Sequence, residues 1–339
     1  MSTLPQSVTE LPLWYKVTVP PPHYAWSWAQ EPSFVMGSVM EATLIFPHQL
    51  YRPHPAVRAG SRIWLLEDPL FFGNDRHWPL RFHVQKLLLH RRSLAAFRLE
   101  LERAGHEAIH IACSSDATTT EELLDQFLPP GLTSLHVVDP VDDILLRRLQ
   151  RWTQRKNVHL RLHPSPNFLT AEDDVVAHFS GTRKPFMGRF YAEQRQRMRI
   201  LTREDGTPVG DRWSFDTENR KKLSASVEVP VPPFLRFSDI APTTADEKET
   251  LPPNCGTPGT LLYPYTRNDA QTWFDTFLEW RLHHFGAYED AISQNHPVVF
   301  HSVLTPALNI GLLDPGRVVS RALAAAERQH VPLASIEGF

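Results

Sequence analysis

The sequence predicts an α/β chain: a five-stranded parallel sheet over residues 41–165, then the start of an all-α domain over 263–339. Three observations predict it. Short apolar runs alternate with helical patterns from 41 onward, which is the pattern of a parallel sheet covered on both faces. A Pro-rich stretch at 230–258 separates this half from the next. From 266 the apolar positions recur at helical spacing and no further strand pattern appears.

The elements follow in order. Residues 1–40 are Pro-rich, with Val17-Thr18-Val19-Pro20-Pro21-Pro22, and read as an extended or disordered appendage. Thr43–Phe46 is an apolar run stopped by Pro47, a first buried strand, and Arg62–Leu66 is a second. Leu87, Leu88, Leu94, Phe97 and Leu101 share helical spacing, so 84–104 is a helix, with Gly105 at its stop position. Ala108–Ala112, Ser134–Val138 and Val158–Leu162 complete the sheet, joined by helices at Glu121–Phe127 and Asp142–Arg155. No Gly-x-Gly-x-x-Gly follows the first strand, so this is a Rossmann-like sheet without the dinucleotide fingerprint. Residues 166–262 read as an irregular interdomain linker holding one basic helix, 187–201. Thr266 caps a helix carrying Trp273, Phe274, Phe277 and Trp280, whose two tryptophans read as core, and Leu304–Leu312 and Val318–Gln329 are further helices.

Composition narrows the class. Hydrophobic residues make up 42% and charged residues 22% of 339, an ordinary globular balance. No apolar run is long enough to span a bilayer, and the start lacks a secretory pattern, so a cytoplasmic location is expected. The net charge of −3 restricts any nucleic-acid contact to a local basic patch. Cys113 and Cys255 are the only cysteines, and no His-Glu-x-x-His occurs, so no metal site is expected.

Two stretches are candidates for chemistry. In His301-Ser302-Val303-Leu304-Thr305-Pro306, Ser302 and Thr305 flank a helix start with Pro306 in its first turn. Hydroxyls and free N–H groups there suit a phosphate, and they equally suit a plain N-cap. On 187–201, Arg189, Arg195, Arg197 and Arg199 interleave with Phe190, Tyr191 and Met198, and Arg195 and Arg199 share a face. DNA-phosphate contact by Arg189, Arg195 and Arg199 is one reading. A solvated interdomain bracket is the favoured one.

The run His301–Pro306 resembles the Thr-Ser-x-Leu-Ser-Pro signature of the photolyase/cryptochrome family, with His301 in place of Thr. Three further segments resemble the bacterial photolyase-related branch that includes the iron–sulfur (6-4) photolyases. They are Leu66-Glu67-Asp68-Pro69-Leu70-Phe71-Phe72, Phe82-His83-Val84-Gln85-Lys86-Leu87 and Pro208-Val209-Gly210-Asp211-Arg212-Trp213-Ser214-Phe215-Asp216-Thr217-Glu218-Asn219-Arg220. The resemblance implies an N-terminal antenna domain and a C-terminal FAD-binding domain. It implies FAD contacts at Tyr288, which stands thirteen residues before His301, and at His301, Ser302, Leu304 and Thr305. It implies an antenna chromophore, 6,7-dimethyl-8-ribityllumazine, at Gln49, Glu67, His83 and Lys86. A helix cap by Glu67 and Asp68, and a solvated helix face for His83 and Lys86, stand as the alternative.

The implied activity is light-driven repair of UV-induced pyrimidine lesions in DNA by electron transfer from reduced FAD. A cryptochrome-like blue-light photoreceptor without repair is the first alternative. A stand-alone chromophore-binding module completed by a second polypeptide is the other. The sequence stops at Phe339, before the Arg-Gln-x-x-Gly-Trp-Arg-Glu-Tyr helix of that family, so the all-α domain reads as truncated and lacks the iron–sulfur cysteines. Three expectations follow: the final helices expose an apolar face, and the isolated chain neither binds FAD tightly nor repairs DNA.

Overall fold

In the computed structural model, residues 40–113, 116–181, 184–236, 247 and 249–339 are described. The appendage at 1–39 lies outside them. Five strands form one parallel sheet: β1 Glu41–Ile45, β2 Arg62–Leu66, β3 Ala108–Ile111, β4 Ser134–Val138 and β5 His159–His163. Their order is β3-β2-β1-β4-β5, the doubly wound arrangement.

Period-two alternation divides the sheet residues between two cores. Ile45, Ile63 and Leu65 face α2, Val84–Arg103, through Leu87, Leu88 and Leu94. Leu44, Phe46, Trp64, Leu66, Leu135 and Val137 face α3, Thr120–Phe127, and α4, Asp143–Lys156, through Leu123, Leu145, Leu149 and Trp152. Each helix starts on a side-chain cap, from His83, Thr119 and Asp142. Gly105, at φ 86, follows the end of α2 as the sequence predicts.

The first core continues into the C-terminal helices. It includes Trp273, Phe274 and Phe277 of the Arg267–Trp280 helix, Ala307, Leu312, and Ala322, Leu323 and Ala326 of Pro315–Gln329. A seam joins the two parts: Leu50 N donates to Ile310 O at 3.0 Å. Gly311 sits there at φ 80, where a Cβ would stand 2.6 Å from the Tyr51 ring. Gly311→Ala therefore meets both a left-handed backbone and a clash. It is expected to destabilise the chain by about 3 kcal/mol, read as a lowered urea midpoint.

Several sequence expectations are corrected. Residues 166–262 are not irregular apart from one helix. Glu172–Phe179 is also helical, with three acidic residues in its first turn, and packs on Met187–Met198 through Phe179 and Phe190. Met187–Met198 stops before 201 because Arg199 turns left-handed at φ 53. The predicted helix 304–312 shrinks to Thr305–Asn309, since Gly311 reverses the backbone. Trp280 is 47% exposed rather than core. The last helices do not expose an apolar face: among the described residues from 300 onward no large apolar side chain is exposed. Phe339 turns back onto Phe274, Phe277 and Phe285, and Ile336 is buried.

Candidate functional site

The chain folds 285–305 into an aromatic corner. A 3-10 turn, Gly286–Tyr288, follows the buried Phe285. Tyr288 stacks on Phe300 with ring centres 5.4 Å apart and an interplanar angle of 26°. His301 meets Phe285 edge-on at 6.1 Å. The sequence spacing of Tyr288 and His301 thus becomes proximity, carried by Phe300 and Phe285. The loop is anchored from below: Trp273 Nε1 donates to Ser302 O at 3.1 Å, and Leu304 is buried.

The loop backbone is strained. Val299 and Val303 lie at φ 49 and φ 53, a region that β-branched residues avoid. Such strain is held only where surrounding contacts enforce it, and it clusters at ligand sites. Among the described residues, no hydrogen bond uses the N–H of Ser302, Val303, Leu304 or Thr305. His301 and Thr305 are exposed and Ser302 is half-buried. The plain N-cap reading fails, because the cap residue of the five-residue helix is Leu304, with no side-chain cap bond. Four free amides and two accessible hydroxyls remain, which fits an anionic group.

The three arginine candidates separate. Arg195 is 3% exposed and donates to the carbonyls of Ile200, Leu201 and Trp213 at 3.2, 2.7 and 2.7 Å. It binds the helix to the following turn, and at 3% exposure its remaining N–H groups are closed to a phosphate. Arg199 is not on its helical face but beyond the helix end, and is exposed. Arg189 is exposed and paired with Glu193 at 2.9 Å.

The antenna candidates also divide. Gln49 is fully buried at the switch between β1 and β4, where Nε2 donates to Val138 O at 2.8 Å and Oε1 accepts from Phe46 N at 3.3 Å. It occupies the crevice in which doubly wound sheets usually place ligands. Glu67 is fully buried, bidentate with Arg91 at 2.8 and 2.7 Å, and accepts from Cys113 N at 3.0 Å. Burial opposes its ionisation, but His110 and Arg91 prevail and hold its carboxyl below the usual range. A lumazine ring bonded to Glu67 would have to displace one of these partners, so the enclosed carboxylate does not fit that role in this arrangement. Asp68, its neighbour, caps Pro69–Phe72. His83 Nδ1 caps α2, and Lys86 Nζ lies 3.4 Å above the Phe82 ring centre. These two are the accessible members, His83 exposed and Lys86 half-buried.

Sequence reasoning missed a cavity of about 670 Å³ at the seam, lined by residues from 51–59, 97–106, 267–274 and 312–321. No motif joins four such distant segments; only the tertiary fold does. Among the described residues, no three His, Cys, Asp or Glu side chains converge as a metal site, and no helix is long and apolar enough to cross a membrane.

A strained loop with free amides thus stands beside an aromatic corner, in a chain that also holds a doubly wound sheet. Residues 43–261 match the deoxyribodipyrimidine photo-lyase-related protein family, and the chain belongs to that family. It is 31% identical over 183 residues to a (6-4) photolyase of Agrobacterium fabrum, covering 54% of this chain and 36% of that protein. The chain thus matches little more than a third of that relative's length. An uncharacterized protein of Acanthamoeba polyphaga mimivirus is 26% identical over 188 residues, covering 53% of this chain and 93% of its own length. Among solved structures, a bacterial class III photolyase from Agrobacterium tumefaciens aligns with 92% of this chain and 58% of its own, at 15% identity and a TM-score of 0.47. An archaeal photolyase from Sulfolobus tokodaii with two FAD molecules aligns at 11% identity and a TM-score of 0.43, over 88% and 57% of the two chains.

Proposed function

We propose that this chain supplies the sheet domain and the first wall of the flavin pocket of a light-driven photolyase-related protein acting on UV-damaged DNA. The observation that carries this is the loop 301–305, with free amides and hydroxyls beside Tyr288, in a member of this family. When bound, reduced FAD would supply the photochemistry, donating an electron to a pyrimidine lesion. The chain's own residues bind and orient. The amides of Ser302–Thr305 and the hydroxyls of Ser302 and Thr305 would hold the FAD phosphates. Trp273 and Leu304 fix the loop so that its donors are already in place, which lowers the ordering cost of binding. Tyr288, braced by Phe300, closes the side of the pocket. DNA contact falls to the exposed Arg189 and Arg199, with Arg195 holding the turn that positions them.

The test is an FAD titration of the chain and of Ser302→Ala/Thr305→Ala, followed by flavin fluorescence. The double variant is expected to bind at least tenfold more weakly, about 1.4 kcal/mol. Equal affinities would remove the loop from the flavin site.

A further inference from the structure

None of the candidates above lines the seam cavity, although Gln49 lies two residues before its lining residue Tyr51. Phe97, on its wall, stands 14 residues beyond His83 along α2. At 1.5 Å per residue, that places it roughly 20 Å from the antenna candidates at the helix start. Its volume of about 670 Å³ is that of a small-ligand site.

Its charges do not balance. Arg52, Arg267, Arg317 and Arg321 line it, against the carboxylates of Glu100 and Asp314. Arg321 pairs with Asp275, outside the lining. Asp314 accepts from Arg317 N as the cap of Pro315–Gln329. Glu100 is shared, 3.4 Å from Arg267 and 3.9 Å from Arg52. Arg267 is immobilised by the carbonyls of Leu50 and Leu312, at 2.5 and 2.9 Å. Burial lowers its pKa, Glu100 opposes this, and the like charges of Arg52 and Arg317 lower it further. Arg317 is exposed and makes no ion pair among the described residues. Arg52 has a side chain 70% exposed. Two accessible guanidinium groups therefore stand at the mouth of a cavity whose wall includes Phe97, Phe274 and Leu312. Arginine forks suit phosphate oxygens, and aromatic and aliphatic walls suit a planar base.

We propose that this cavity binds a nucleoside monophosphate, its phosphate held by Arg52 and Arg317 and its base against the apolar wall. Gln271 and His106, also in the lining, supply polar groups for the edge of the base. The site owes nothing to the flavin loop.

The test is isothermal titration of the full chain with AMP, adenosine and inorganic phosphate, in the dark and without flavin. AMP is expected to saturate one site, with adenosine and phosphate each at least tenfold weaker. Arg52→Ala/Arg317→Ala is expected to weaken AMP at least tenfold, with Arg52→Lys/Arg317→Lys, which keeps the charge and loses the fork, falling between it and the unsubstituted chain. AMP binding no better than phosphate, or unchanged in the alanine variant, would overturn the proposal. Because no flavin is present, either result leaves the flavin reading to its own titration.

Discussion

Lowering the pH from 7 to 5 is expected to cost the fold about 5 kcal/mol. Three histidines are enclosed by the sheet domain and its seam. Burial above all pushes His48 down to about 4, and His54 and His90 to about 3. His48 is wedged between the Pro140 carbonyl, 2.9 Å from Nε2, and the Phe71 ring, 4.6 Å away. His90 lies near Phe72, and His54 accepts from Ala56 N through Nδ1. The sign follows from proton counts. Below the ordinary histidine pKa of 6.5 the unfolded chain takes up protons that the folded chain refuses. Stability therefore falls as the pH drops, by about 2 kcal/mol per histidine at pH 5. Asp68 acts the other way. Burial raises it to about 6, so its unfavourable ionisation is relieved on acidification, returning about 1 kcal/mol. Urea midpoints at the two pH values measure the net effect. Equal midpoints would mean that these histidines are already open to water at neutral pH.

Arg148→Ala is expected to destabilise the chain by about 3–5 kcal/mol. Arg148 is 3% exposed and its partner Asp75 is fully buried. The guanidinium forms a bidentate pair with Asp75, one arm at 3.0 Å, and also reaches Thr120 Oγ1 at 3.3 Å. Asp75 in turn accepts from the amides of His77 and Trp78, both at 3.0 Å, and so shapes the loop before α2. Removing the arginine leaves a buried carboxylate with no countercharge, which costs far more than the pair contributes. Asp75→Asn retains an acceptor for the loop amides, so Arg148→Ala/Asp75→Asn is expected to lose less than Arg148→Ala alone. Chemical denaturation of the three variants reads this. A loss under about 1 kcal/mol for Arg148→Ala would show that water reaches the pair.

The sheet was legible because its strands are short, apolar and bounded by Pro, Gly and Asp. The strand runs at 43–46, 62–66 and 134–138 all form, and the cap at Thr266 holds. Arg148 was not legible. It sits on the buried face of α4 beside Leu145 and Leu149, and only the loop at Asp75, remote in sequence, makes that burial tolerable. Gln49 and Glu67 stand at the strand ends that the sequence indicates, yet their hydrogen bonds are filled by Val138 and Arg91, which no local pattern shows. The spacing of Tyr288 and His301 does correspond to a shared place in the fold, since the two meet the neighbouring rings of Phe300 and Phe285. The left-handed Val299 and Val303 were not legible, because no β-branched residue announces that conformation. The seam cavity was invisible, since its arginines come from three separate segments.

The central claim is that residues 301–305 seat the phosphates of a flavin dinucleotide. It is tested most directly by titrating the chain with FAD and with riboflavin, which carries the same ring and no phosphate. The account predicts weak, saturable FAD binding at least tenfold tighter than that of riboflavin, with the difference lost in Ser302→Ala/Thr305→Ala. Riboflavin bound as well as FAD would contradict it, because the loop amides would then have no part in recognition.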